Sequence, residues 1–281
     1  MDARSMDAEE TPATQASVIY RHTLPVRLTH WVNVLCLLIL LMSGLQIFNA
    51  HTHLYLGNRS DPAHAVLSMR SVQKPDGSYA GQTTIGNWTF DTTGVLGLSK
   101  GDGGQWEARG FPSWITLPSY RDLATGRRWH FFFAWLFVLN GLLYLTYTFF
   151  SGHLRRDLAP SGQQLGNIGH DVVQHLKLNF PKGEEAKHYS VLQKLAYLAV
   201  ILVLLPLVVL TGLTMSPGLD AAFPFLVEIF GGRQSARTVH FLCATGIVLF
   251  VFVHVAMVLI SGVWNNMRSM ITGRYRIEAV E

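Results

Sequence analysis

The sequence predicts an all-α membrane protein: a four-transmembrane-helix bundle with a long extracytoplasmic insert between helices 1 and 2. Its 281 residues are 49% hydrophobic and only 14% charged, which is too apolar for an ordinary soluble domain. Four stretches lack Lys, Arg, Asp and Glu for longer than the roughly 20 residues that a helix needs to cross a bilayer. They are residues 28–50, 129–154, 195–219 and 238–263. A segment in lipid must satisfy its own backbone hydrogen bonds, so each stretch is expected to be a helix.

The rest of the chain is divided by these helices. The N-terminus is polar and acidic and lacks the charged-then-apolar pattern of a cleaved signal peptide, so helix 1 is expected to remain as an anchor. The expected order is a disordered tail over 1–20, a helical domain over 21–271 and a C-terminal tail over 272–281. Within the domain, the insert is 51–128 and the connection between helices 2 and 3 is 152–194.

Both long connections carry structural signals. The insert contains the turn sequences "KPDG" and "GDGG", and "GQTTIGNWTF" has the Thr and aromatic content of a short strand. We therefore expect a small ordered cap outside the membrane. In the connection 152–194, "IGHDVVQHLKLNF" has apolar residues at helical spacing, which is typical of a helix on the membrane surface.

Charge indicates the orientation. With four spans, both termini and the connection 152–194 lie on the same side of the membrane. These segments contain 12 Lys and Arg residues, and the segments on the other side contain 10. Most of those 10 lie in the long insert, and long translocated loops escape the positive-inside rule. Both termini are therefore expected in the cytoplasm. The net charge of +4 favours loops beside the anionic lipid bilayer over a nucleic-acid partner.

Helix 4 carries two histidines in "RTVHFLCATGIVLFVFVHV". A helix turns about 100° and rises about 1.5 Å per residue, so His240 and His254 lie within about 40° of one face and about 21 Å apart along the axis. Ionisable groups at membrane depth are costly and usually functional. One buried histidine is explained by packing, whereas two on one face predict two stacked sites.

The motif Arg, two residues, His, aromatic occurs three times, as "RLTHW", "RRWHF" and "RTVHF". Helices 2 and 4 start on the outer side, so His130 and His240 share a depth. Helix 1 starts on the inner side, level with the end of helix 4, so His30 and His254 share another. Two imidazoles facing each other across a bundle make an axial clamp for haem iron. The sequence predicts two haem groups, and helix 3, which lacks histidine, is expected only to pack.

Arginines and glycines accompany the histidines. Arg27, Arg127 and Arg237 each precede a proposed ligand by three residues and suit haem propionates; the alternative is that they are interfacial anchors. Gly44 and Gly141 face the same way as His30 and His130 at the depth of the other haem, where a porphyrin needs a wall without side chains. Glycine is also common at helix interfaces in lipid.

Three segments carry a family resemblance: "RLTHWVNVLCLLILLMSGLQIF", "GRRWHFFFAWLFVLNGLLYL" and "ARTVHFLCATGIVLFVFVHVAMVL". They resemble the di-haem cytochrome b subunits of bacterial membrane oxidoreductases, which include cytochrome b561 and the b-type subunits of nickel–iron hydrogenase, formate dehydrogenase and thiosulfate reductase. The resemblance implies a bacterial inner membrane protein with an inner haem on His30 and His254 and an outer haem on His130 and His240. The insert is the departure, because a brief loop is expected there.

The resemblance implies an electron-transfer subunit between a periplasmic partner and the membrane quinone. The partner is an oxidoreductase subunit, of molybdopterin type as a first guess, or a cytochrome c. The alternative is a self-sufficient cytochrome b561-like quinone or superoxide oxidoreductase; a haem-free anchor is a third possibility. Polar residues of the inner half are candidates for the quinone site or for ordinary interfacial positions: Asn33, Asn140, His153, His170 and Asp171.

Overall fold

The computed structural model describes residues 17–177 and 190–277 and contains four helical spans that are as long as a bilayer is thick. Each is long and apolar enough to span a membrane, so the predicted number of spans is found within the described residues. The first, second and fourth spans are α1 Leu24–Phe48, α2 Leu123–Phe150 and α9 Arg233–Ile260. The third span consists of α5 Val191–Ala199, a π-helical turn Val200–Leu204 and α6 Leu205–Thr214.

The helix boundaries expected from the sequence are wrong at both ends. The spans stop two to five residues before the expected ends, at Phe48, Phe150, Thr214 and Ile260. Each helix begins four to six residues before its charge-free stretch, at Leu24, Leu123, Val191 and Arg233. The charge-free stretch marks only the part that lies in hydrocarbon. The helices continue beyond it, and their charged residues there behave in two ways. Arg127, Arg128 and Arg233 are exposed. Arg27, Arg237 and buried Lys194 donate to groups of the protein itself.

Shorter helices cover the ends of the bundle. They are α3 Gly162–Gly166, α4 Ile168–Leu176, α7 Pro217–Ala222, α8 Phe225–Ile229 and α10 Val263–Thr272. The predicted surface helix is present as α4, although residues 178–180 of that segment lie outside the described residues. The sequence analysis missed α10, which starts after Gly262 breaks α9 with a φ of +106°.

The all-α class is too narrow, because the described residues also form eight strands. The insert holds an antiparallel sheet in the order β2 His53–Leu54, β3 Leu67–Gln73, β4 Tyr79–Ile85 and β5 Trp88–Asp91, and a hairpin of β6 Gly97–Lys100 and β7 Trp106–Arg109. The stretch expected to form one strand is the hairpin β4–β5, which turns at Gly86 with a φ of +56°. Both predicted turns join strands, β3 to β4 and β6 to β7.

The first and last described segments of the chain pair with each other. Strand β1 Ser17–Tyr20 pairs antiparallel with β8 Arg274–Ile277. The disorder expected over residues 1–20 is therefore wrong for 17–20, because the partner strand satisfies their backbone groups. Residues 1–16 and 278–281 of the two expected tails lie outside the described residues. We call this end of the bundle, where β1 and β8 lie, the inner end.

The insert is fixed to the opposite, outer end. Its first residues contact the start of α9, where the Thr238 hydroxyl donates to the Tyr55 carbonyl at 2.6 Å. Its last part contacts α1, where the Gln46 amide donates to the Tyr120 carbonyl at 2.9 Å. Arg109 is fully buried in the insert and donates to Thr116 at 2.9 Å. The insert is thus a cap built onto the bundle.

The bundle is made of two helix pairs. α1 packs along α2, where buried Cys36 contacts Phe133 and Phe137, and α6 packs along α9. Cys36 is therefore a packing residue of this core, and Cys243 on α9 is buried as well. The histidines of the two pairs face each other across the space between them.

Candidate haem-binding site

Two pairs of imidazoles face each other inside the bundle. The ring centroids of His130 and His240 are 6.3 Å apart, with planes inclined by 62°. Those of His30 and His254 are 6.4 Å apart, inclined by 56°. Two imidazoles bound to one metal through bonds of about 2.0–2.1 Å have centres about 6 Å apart. The structure brings together the residues that the sequence paired by depth, each pair at the separation that one iron requires.

Hydrogen bonds at Nδ1 hold the two imidazoles of the outer pair in place, and those of His130 come first. Its Nδ1 lies 3.1 Å from the Ser43 hydroxyl, and the Leu40 carbonyl is also within its reach. Ser43 is fully buried and donates its own hydrogen to the Ile39 carbonyl at 2.6 Å. Its oxygen can therefore only accept from the ring, which places the proton on Nδ1 and leaves the Nε2 lone pair free.

His240 has a matching support from the third span. Its Nδ1 lies 2.9 Å from the Val208 carbonyl and 3.2 Å from the Thr211 hydroxyl. Thr211 is fully buried and donates to the Leu207 carbonyl at 2.7 Å. Both oxygens accept from the ring, so His240 too carries its proton on Nδ1 and presents Nε2. Such outer contacts of a metal-binding histidine fix its tautomer and orientation.

Each outer ring also lies against a glycine. A Cβ added to Gly44 would come 3.3 Å from Cε1 of His130, and one added to Gly212 would come 3.4 Å from Cε1 of His240. Gly44 thus lies at the depth expected from the sequence. Around a Cβ added to Gly141, no described atom lies within 4 Å, so that position faces open space.

The third span does more than pack, which corrects the expectation from its lack of histidine. Ser43 and Gly44 on α1, and Thr211 and Gly212 on α6, form the two hydroxyl–glycine cradles of the outer pair. The signal is present in the sequence as "SGL" at 43–45 and "TGL" at 211–213. Because Ser, Thr and Gly are not ionisable, the spacing of the histidines and arginines does not point to this signal.

The inner pair has different surroundings. Nδ1 of His30 is buried and has no hydrogen-bond partner among the described residues. The ring of His254 stacks on Phe250 at 5.8 Å and lies 6.4 Å from Tyr197. Next to His30, the Trp31 indole donates to the Met270 carbonyl of α10 at 3.1 Å, so α10 is bound to α1 at the inner end.

The three arginines near the histidines contact the protein itself. Arg27 donates to the Ile271 carbonyl at 2.5 Å. Arg237 donates to the carbonyls of His51 and His53, the latter at 2.8 Å. Burial lowers the pKa values of both His51 and His53, aided by the Arg237 charge at His51 and by the Arg70 and Arg237 charges at His53. Within residues 17–177 and 190–277, no carboxylate pairs with either arginine.

Arg127 lies over the Phe131 ring, 5.5 Å from its centroid. The structure therefore gives each arginine a contact that fits an anchoring role. Their binding to haem propionates stays a prediction.

Polar residues of the inner half fall into separate groups. Asn140 donates to Asn33 at 2.7 Å and to the Thr29 carbonyl at 2.9 Å, which joins α2 to α1. His153 bonds Asp157 at 2.6 Å, and its ring lies 6.3 Å from that of Tyr147.

Two further polar candidates lie on α4. His170 contacts the Gln174 amide at 3.3 Å. Asp171 accepts from the Val191 backbone at the start of α5, at 3.2 Å. The five candidates therefore do not form one cluster in the described part of the chain.

Comparison with known proteins identifies the family. Residues 21–273 match the model of the prokaryotic cytochrome b561 family. This chain belongs to that family. It is 30% identical over 233 residues to the "Putative protein-methionine-sulfoxide reductase subunit YedZ1" of Azospira oryzae, covering 83% of this chain and 87% of the relative. No solved structure matches the chain.

Family and site agree on the chemistry. The protein is a multi-pass membrane cytochrome b with a role in electron transport, and its family implies haem b. The residues present fit that group: the opposed histidines have iron-compatible spacing, the outer rings present Nε2, and a glycine lies beside Cε1 of each outer ring. The resemblance found in the sequence is confirmed.

Proposed function

We propose that this chain is the membrane-anchoring di-haem b subunit that passes electrons between a periplasmic oxidoreductase and the membrane quinone pool. The observation that carries the proposal is the two histidine pairs, one toward each end of α9. His30 and His254 would hold the inner haem, and His130 and His240 the outer one. The name of the relative, which describes a reductase subunit, supports an assembly of this kind.

A bound haem b takes up and releases one electron at its iron. The chain supplies the axial nitrogens, their orientation and an apolar surrounding. At the outer pair, Ser43 and Thr211 hold the two rings with Nε2 free. Because both are fully buried, water does not compete for these hydrogen bonds.

The insert supports an outer protein partner. It is bonded to α9 one turn before His240, through Arg237 and Thr238. Its surface exposes large aromatic side chains, with Trp88 at 73% and Trp114 at 77% exposure. Aromatic residues of this kind are the usual anchors of protein interfaces. The partner is an oxidoreductase subunit, with the molybdopterin type as the first candidate and a cytochrome c as the second.

The arrangement supports one orientation in the bacterial inner membrane. The paired strands β1 and β8 bring both ends of the described chain to the inner end. Placing this end in the cytoplasm puts the insert in the periplasm, where a periplasmic partner reaches the outer haem site. The Lys and Arg distribution agrees with this orientation.

We place the quinone near the inner pair. Quinone reduction takes up protons, which histidine exchanges near neutral pH. Asn140 is engaged with Asn33, and Asp171 accepts from the backbone of α5. His153 and His170 remain. His170 contacts the Gln174 amide on its own helix α4. We favour His153, which is hydrogen-bonded to exposed Asp157 and lies beside Tyr147 at the end of α2. Burial, with Arg21 beside it, lowers the pKa of nearby His22 to about 4, so that imidazole is neutral.

Affinity purification from native membranes tests the proposal. The expected result is a stable outer oxidoreductase subunit that copurifies with a chain holding two b-type haems by pyridine haemochrome assay. Haems in the chain should then be reduced from the partner side and reoxidised by added quinone. A chain that purifies alone and turns over quinone with superoxide would favour the self-sufficient alternative. Colourless protein would contradict both.

A further inference from the structure

The two histidine pairs differ in what lies behind their rings. Behind His130 and His240, each Nδ1 faces a buried hydroxyl, at 3.1 Å from Ser43 and 3.2 Å from Thr211. Each also has a backbone carbonyl within reach. Behind His30, the buried Nδ1 has no hydrogen-bond partner in the described part of the chain.

The two hydroxyls can act only as acceptors toward the rings. Ser43 gives its hydrogen to the Ile39 carbonyl at 2.6 Å, and Thr211 gives its own to the Leu207 carbonyl at 2.7 Å. This back-bonding to a carbonyl four residues earlier is common for Ser and Thr in helices. Here it has a second effect, because it turns an oxygen lone pair toward each imidazole.

A hydrogen-bond acceptor at Nδ1–H makes an imidazole a stronger electron donor through Nε2. A stronger donor stabilises the oxidised, more positive iron over the reduced one, and the reduction potential falls. We propose that Ser43 and Thr211 are positioning residues that fix the tautomer of the outer ligands and lower the reduction potential of the outer haem. The inference rests on the proposed function only in that it assumes a haem at the outer pair.

The matched replacements are Ser43→Ala and Thr211→Val, which remove the hydroxyls with little change of volume. Thr211→Ser keeps the hydroxyl and serves as the conservative variant. Ser269→Ala is the control, since Ser269 is buried but lies on α10 and donates to Asn266. All four are made in the full chain and, for Ser43→Ala and Thr211→Val, also in a His254→Ala background, where only the outer haem is expected.

The measurement is a potentiometric titration of the α-band, with the electron paramagnetic resonance spectrum of the oxidised protein as a second readout. Ser43→Ala and Thr211→Val should each raise the midpoint potential of the outer haem and change its low-spin signal. The inner haem should keep its midpoint, and Thr211→Ser and Ser269→Ala should match the wild type. Both shifts should be partial, because the Leu40 carbonyl stays within reach of His130 and the Val208 carbonyl remains 2.9 Å from His240.

An outer midpoint that does not move in either variant would overturn the inference, as would equal shifts for Thr211→Val and Thr211→Ser. The latter result would mean that packing, and not the hydroxyl, sets the potential. If Ser43→Ala does not assemble, the Thr211 series decides alone. A wild-type chain that lacks haem would instead contradict the proposed function.

Discussion

Gly44 lies so close to His130 that a Cβ at this position would approach the ring Cε1 to 3.3 Å. Overpacking of this kind typically costs about 1–3 kcal/mol. Gly44→Ala should therefore displace the ring and lower outer haem occupancy, while the inner haem stays bound. The measurement is the haem content and the redox titration of the purified variant.

Gly141→Ala provides the contrasting case. No described atom lies within 4 Å of a Cβ added there, so the replacement strains nothing in the protein itself. If the open space beside Gly141 receives the inner porphyrin, the added methyl should weaken the inner haem and spare the outer one. An unchanged inner haem would remove Gly141 from the set of haem-contacting positions.

Much of the site could be predicted because the helical repeat links spacing to direction. Fourteen residues return His254 to the face of His240, and the alternating direction of the spans sets which partner each one meets. Thr211 and Gly212 could not be found this way, since they act through a hydroxyl lone pair and a missing side chain. Most strands of the insert were missed because four of the six, β2, β5, β6 and β7, have only two to four residues, which is too short to show an alternating pattern.

Two exposed tryptophans test the docking role of the insert. Trp88→Ser and Trp114→Ser remove side chains that are 73% and 77% exposed, so the fold should keep its stability within about 0.5 kcal/mol. A tryptophan at the centre of an interface contributes about 2 kcal/mol or more to binding, so partner recovery in copurification should fall sharply.

Trp264→Ser is the control for that pair, because Trp264 is 86% exposed on α10 at the inner end. Its replacement should leave partner recovery unchanged. Equal recovery for all three variants and the wild type would place the docking surface elsewhere.

Arg109 holds the insert together. Its fully buried guanidinium donates to the Phe111 carbonyl at 2.7 Å, to Thr116 at 2.9 Å and to the Ser119 carbonyl at 3.1 Å. Arg109→Met leaves these acceptors unpaired, which should destabilise the insert by about 1–3 kcal/mol. Limited proteolysis should then cut the insert faster.

Arg121→Met is the control variant for Arg109→Met. Arg121 is exposed and donates one hydrogen bond, to the Ala108 carbonyl at 3.2 Å. Its cleavage rate should stay near that of the wild type. Equal protection of both variants would show that Arg109 contributes nothing to the order of the insert.

His153 tests the quinone site. His153→Phe removes the imidazole that bonds Asp157 and faces Tyr147, so proton exchange with a bound quinone should slow. Quinol-driven haem reduction should fall while haem content is retained. His170→Phe on α4 is the control and should behave as wild type. If a quinone-site inhibitor shifts only the spectrum of the outer haem, the quinone binds at the opposite end.

Haem counting in single-histidine variants tests the central claim most directly. The wild-type chain should hold two b-type haems, each with bis-histidine iron. His240→Ala should lose the outer haem and keep the inner one, and His254→Ala should do the reverse, each leaving one haem per chain with a distinct midpoint potential. Two full haems in His240→Ala, or a single haem in the wild type, would contradict the assignment of His130 with His240 and His30 with His254.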